Sequence, residues 1–115
     1  MLTVKKLHDF GVNTDEGLSR CINNEAFYLR LVNKVLDDAA SFDRLAAAVE
    51  SGDRKAMFEV AHSLKGVLGN LSLTPLFAPV SEMTELLRAG EDADYRAYMD
   101  EIRQKFEALK ALRED

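Results

Sequence analysis

The chain has 115 residues, 47% of them apolar and 30% charged, the composition of one ordinary globular domain over residues 1–115. A formal charge of -5, scattered along the chain, repels phosphate backbones and anionic lipid, which argues against nucleic acid or a membrane as partner. No apolar run approaches the roughly 20 residues of a membrane span; Met1-Leu2-Thr3-Val4-Lys5-Lys6 lacks the apolar core of a signal peptide, and the lone Cys21 excludes an internal disulfide, so the expected location is cytoplasmic.

All segments read as helix, with no alternating β-branched runs and with the prolines and glycines mostly at breaks. Leu2 to Phe10 forms a short leading helix stopped by Gly11. Asn13 or Thr14 caps a second short segment, Asp15 to Ile22, whose acidic first turn suits the helix dipole. From Asn24 onward, Phe27, Leu31, Val35, Ala39, Phe42, Leu45 and Val49 recur at three- and four-residue spacing with no Gly or Pro among them. This predicts one long helix from Glu25 to about Glu50, with any bend near Ser41. Gly52 suits a left-handed stop and Asp53 the next N-cap.

The next helix, Arg54 to Leu71, carries an apolar stripe of Met57, Val60, Ala61, Leu64, Val67, Leu68 and Leu71. Thr74 as N-cap and Pro75 at the first helical position open another, with Leu76, Val80, Met83 and Leu87 inward and Ala89-Gly90 at its end. Asp92 starts the last, in which Tyr95, Tyr98, Ile102, Phe106 and Leu109 face inward, and the charged tail from Leu112 to Asp115 is expected to fray. Four long amphipathic helices with short connections predict an all-α, up-down-up-down four-helix bundle, with the short N-terminal helices capping one end.

One segment is hard to explain as scaffold: Ala61-His62-Ser63-Leu64-Lys65-Gly66-Val67-Leu68-Gly69-Asn70-Leu71. At about 100° per residue, His62 lies roughly 160° from the centre of the apolar stripe and points to solvent. An imidazole is largely neutral near pH 7 and keeps a ring lone pair for nucleophilic attack. Gly66 and Gly69, at i+4 and i+7, follow it on the same surface. Each costs the helix about 1 kcal/mol relative to Ala. Neither is expected to face the core, so a bare patch that lets another protein approach the ring explains them better than close packing. Lys65, at i+3, can reach a phosphoryl group on the imidazole and offset its charge. Phe58, at i-4 and away from the stripe, is expected as an exposed aromatic that suits docking of a protein.

The run His62-Ser63-Leu64-Lys65-Gly66, followed by Asn70-Leu71, resembles the histidine-containing phosphotransfer family, whose pattern is His-x-Leu-Lys-Gly, four variable residues, an apolar residue and Gly. Asp15-Glu16, Phe27-Tyr28-Leu29, a Gly-Asp turn and an Ala-His pair follow in the family's order. The resemblance implies a carrier, not an enzyme: His62 as phospho-acceptor, Lys65 as phosphate-stabilising cation, and Gly66 kept bare for a receiver domain. Gly69 and Phe58 join the docking face. The implied partners are response-regulator receiver domains and a hybrid sensor kinase, met by a monomer. No cofactor is implied, the Mg²⁺ belonging to the partner receiver domain. Ser72 departs from the usual Gly, Val67-Leu68 from smaller residues and Gly69 from the usual Ala; Ser72 is expected to affect the turn and not the chemistry.

An isolated exposed histidine is usually just solvated, and His8, with no Gly or Lys companions, is assigned nothing. Met57, Met83 and Met99 read as gap-fillers, and Asp37-Asp38 and Glu91-Asp92 as exposed turn and cap residues with no histidine at metal-ligand spacing. The competing reading is a non-catalytic helical interaction or scaffold module. A general-base enzyme is weaker, since only Glu59 among Asp, Glu, Ser and Cys stands at i±3 or i±4 of His62.

Overall fold

A computed structural model describes residues 1–114. Among them the backbone forms seven helices and no strand: α1 (Val4–Phe10), α2 (Thr14–Arg20), α3 (Glu25–Leu36), α4 (Ala39–Ser51), α5 (Arg54–Asn70), α6 (Thr74–Arg88) and α7 (Tyr95–Ala111). Side chains at the N-caps fix most of these starts. Thr3, Asn13, Asn24, Asp38, Asp53 and Asp94 each accept an N–H from the first turn. Gly11 and Gly52 close α1 and α4 at φ 107° and 71°, left-handed values that a side chain would resist.

The single helix expected from Glu25 to Glu50 is two helices, broken at Asp37-Asp38. The Asp38 carboxylate accepts both the Ser41 N–H (3.2 Å) and the Ser41 hydroxyl (2.7 Å), a local bonding pattern that starts a new helix instead of continuing the old one. The apolar spacing runs across the break because α3 and α4 both face the core, so periodicity alone could not reveal it. Within α3 the inward face is Tyr28, Val32, Val35 and Leu36, while Phe27 is 41% exposed.

Other boundaries move less. Leu73, not Thr74, is the N-cap of α6 and makes no side-chain cap bond; Thr74 is helical and its hydroxyl donates to the Ser72 carbonyl. The last helix is capped by Asp94 and not by Asp92. Pro79 is not at a break but buried inside α6. Val67 is 47% exposed and so lies off the core stripe of α5.

The chain is an all-helical bundle. Helix α4 packs on α5 and α7, and α6 packs on α5 and α7, so the four close a ring in chain order. Phe42 and Phe106 stack inside it at 4.0 Å between centroids, with Leu45, Leu68, Leu76 and Ile102 fully buried around them.

Helices α1 and α2 cover the end of the ring at the α5–α6 turn. The Asn13 N–H donates to the Ser72 carbonyl, and Leu2, Leu7 and Val12 are buried. Tyr28, from α3, donates its hydroxyl to the Leu71 carbonyl at 2.8 Å, and burial pushes that phenol up to about 12. The segment expected to fray is tied down: the Met1 ammonium donates to the Arg113 carbonyl (2.9 Å), Lys6 donates to the Leu112 carbonyl (3.1 Å), and Arg113 pairs with Asp37 at 2.6 Å. Only the last residue of that expectation, Asp115, lies outside the described residues.

Candidate functional site

Helix α5 buries Met57, Ala61, Leu64 and Leu68, and that register turns His62 outward into solvent. The ring is not isolated. Phe58, one turn earlier, lies parallel to it with 5.5 Å between centroids and 9° between planes. Phe58 is half-buried, less exposed than its position off the stripe suggests, because the guanidinium of Arg88 from α6 lies 5.1 Å from its ring centroid. The stack sets the ring plane parallel to that of Phe58 while the imidazole stays exposed.

The two glycines after His62 do different things. A Cβ built on Gly66 meets no atom within 4 Å, so this position is open space beside the imidazole. A Cβ on Gly69 would lie 3.1 Å from Cε1 of Phe77 on α6. Close helix packing, rejected from the sequence, therefore accounts for Gly69: α6 brings Phe77 against that backbone. Gly69 still lines a groove of ≈ 560 Å³ together with His62, Lys65, Gly66, Arg20 and Ser72.

Lys65 is 30% exposed and lines the same groove, but its ammonium is already engaged. It donates to Oε2 of Glu85 at 3.0 Å, and Oε1 of the same carboxylate stands 3.3 Å from Nε of Arg88. The hydrogen bond from Lys65, with help from Arg88, holds the Glu85 carboxyl below the usual carboxylate range. One α6 carboxylate thus bridges Lys65, which lines the groove with His62, and Arg88, which lies over Phe58.

The far wall of the groove comes from α2 and the α5–α6 turn. Ser72 is left-handed at φ 55°, a conformation that favours Gly, so its effect falls in the turn. Its hydroxyl donates to Glu16 Oε1 at 2.7 Å; Glu16 pairs with Arg20 at 3.2 Å, and Arg20 donates to the Gly69 carbonyl. His8 is exposed on α1 and does not line the groove.

Sequence reasoning missed Glu85 and Arg88 as neighbours of the site, and Glu16 and Arg20 as its wall. Their spacings mark Glu85 with Arg88, and Glu16 with Arg20, as same-face pairs. Nothing local says which surface each pair meets. Among the described residues no helix is long and apolar enough to cross a membrane, and no three His, Cys, Asp or Glu residues are grouped to hold a metal ion.

A family model described as Hpt domain matches residues 31–112, well over half of the chain and including all of the ring α4–α7 and His62. No curated protein and no solved structure matches the chain.

Proposed function

The chain belongs to the Hpt domain family, whose members carry phosphoryl groups on histidine in phosphorelays and interact with receiver domains; from this we propose that His62 is the phospho-acceptor, charged by one receiver-domain aspartate and discharged to another. The observation that carries this reading is the combination at mid-α5: an exposed imidazole, stacked and oriented by Phe58, with open space at Gly66 where any side chain would stand in a partner's way.

In the forward step a lone pair on a ring nitrogen of His62 forms the P–N bond. The P–O bond to the aspartyl carboxylate breaks, and its electron pair leaves with the carboxylate. The other ring nitrogen keeps its hydrogen, which it can release to water. The chain supplies the nucleophile and its orientation; the Mg²⁺ and the acidic pocket are the receiver's, so the domain is a carrier with no resident cofactor. Lys65, three residues on from His62, is the cation for the transferred phosphoryl group, a charge-assisted contact of about 1–2 kcal/mol. Gly66 gives the receiver access, and Phe58 and the groove wall at Gly69 meet it. In this reading the module works as a cytoplasmic monomer that serves a hybrid sensor kinase and response regulators.

The test mixes the protein with a phosphorylated receiver domain and follows the label. Transfer to the wild type should be acid-labile and alkali-stable. His62→Gln should keep its helical content and melting temperature, since the side chain is exposed, and take up no label. His8→Gln is the control and should behave as wild type. Label on the His62→Gln protein would overturn the assignment.

A further inference from the structure

The cation assigned to the phosphoryl group is not waiting for it. In the protein as folded, Lys65 Nζ is 3.0 Å from Glu85 Oε2, and Glu85 Oε1 is 3.3 Å from Arg88 Nε, whose guanidinium sits over the ring that stacks on His62. Glu85 belongs to α6 and is 51% exposed, so no burial requirement fixes its carboxylate there; the two cations do. A phosphoryl group on His62 brings about -1.5 to -2 charges and strong acceptor oxygens to the same neighbourhood. It must either draw Lys65 away from Glu85 or stand beside a carboxylate with its cation already shared.

From this geometry we infer that Glu85 is a positioning residue for phosphotransfer: a resident anion that holds Lys65 in the uncharged carrier and competes with the phosphoryl group for it. The inference rests on the reading of His62 as phospho-acceptor. A carrier must not hold its cargo too tightly, because a phosphohistidine stabilised by an uncontested lysine would be slow to discharge. Glu85 keeps that contest balanced. It weakens phosphohistidine through competition for the ammonium, and it reclaims Lys65 as the group leaves. The bonds made and broken are those of the transfer itself; Glu85 takes no phosphoryl group and no proton.

The experiment equilibrates labelled phospho-receiver with wild type, Glu85→Gln, Lys65→Ala and the double variant, and measures the partition of label between receiver and carrier and the lifetime of the isolated phosphohistidine. Gln keeps the size of Glu and a weaker acceptor for Lys65 while removing the charge. Glu85→Gln should shift the partition toward His62 by roughly threefold to tenfold and lengthen the phosphohistidine lifetime. Discharge to a second receiver should slow. In the Lys65→Ala background most of that shift should vanish, a coupling that a merely structural Glu85 would not produce. An unchanged partition, a shift of the same size without Lys65, or a shift toward the receiver would each overturn the inference. If wild type takes label at His62 and one of these follows, only the role of Glu85 falls. If wild type takes none, the phosphotransfer reading falls and Glu85 with it.

Discussion

The surface around His62 and the α5–α6 turn lie along one helix and its exit, within three turns of each other, and they are built in opposite ways. At mid-α5 the backbone at Gly66 is bare to 4 Å, and the side chains around the imidazole are held by each other: Phe58 by stacking, Lys65 and Arg88 by one carboxylate. At the turn the backbone is covered. Phe77 lies against Gly69, Tyr28 donates to Leu71, Glu16 accepts from Ser72, and Arg20 donates to Gly69. A helix that is tied at its end and open at its middle presents an exposed, stacked imidazole on an open face. The contrast also separates what glycine does at two positions of one helix: it leaves open space at Gly66 and room for the protein's own Phe77 at Gly69.

Substituting glycines tests that contrast, beginning where the most is expected to be lost. Gly17 on α2 sits beneath the buried ring of Tyr28, and a Cβ there would come within 2.6 Å of Cε1 and of the hydroxyl oxygen. Gly17→Ala must push α2 or Tyr28 aside and should cost about 2–3 kcal/mol of stability, read as a lower midpoint in denaturant. A midpoint equal to wild type would mean that the capped end is soft, and the comparison would lose one side.

Gly69→Gln should cost less, about 1–2 kcal/mol. Its first carbon meets the rim of Phe77, which is only half-buried and can yield somewhat. The position lies in the last turn of α5, where better helix propensity returns little. A gain in stability at this position would show that Phe77 packs there by accident.

Much of the site was legible in the sequence because the relevant rule is local. Rotation at 100° per residue places His62 opposite Met57, Ala61, Leu64 and Leu68, and the structure has it so. Asp53 and Gly52 read correctly as cap and stop for the same reason. The failures share a different cause. Gly66 and Gly69 look alike in sequence because Phe77, which tells them apart, arrives from another helix. Lys65 reads as an available cation because its partner lies 20 residues away on α6. The tail reads as frayed because its partners are Met1, Lys6 and Asp37. The break at Asp37-Asp38 is a local exception: the two aspartates read as turn and cap residues, yet continuous apolar spacing carries the expected helix through them.

Among the glycines, the smallest expected change in stability bears most directly on function. Gly66→Gln puts a long side chain into open space one turn from His62, so it should stabilise the helix by roughly 0.5–1 kcal/mol. In the proposed function the same side chain stands where a receiver's active-site loop must come. Thermal melting and the transfer rate from a phosphorylated receiver, measured on the same preparation, should therefore move in opposite directions; Gly66→Ala should also melt higher than wild type, with its transfer rate between those of Gln and wild type. Stability raised and transfer slowed is the result expected of a phosphoryl carrier with an approach surface at Gly66. Stability raised with transfer untouched would contradict it.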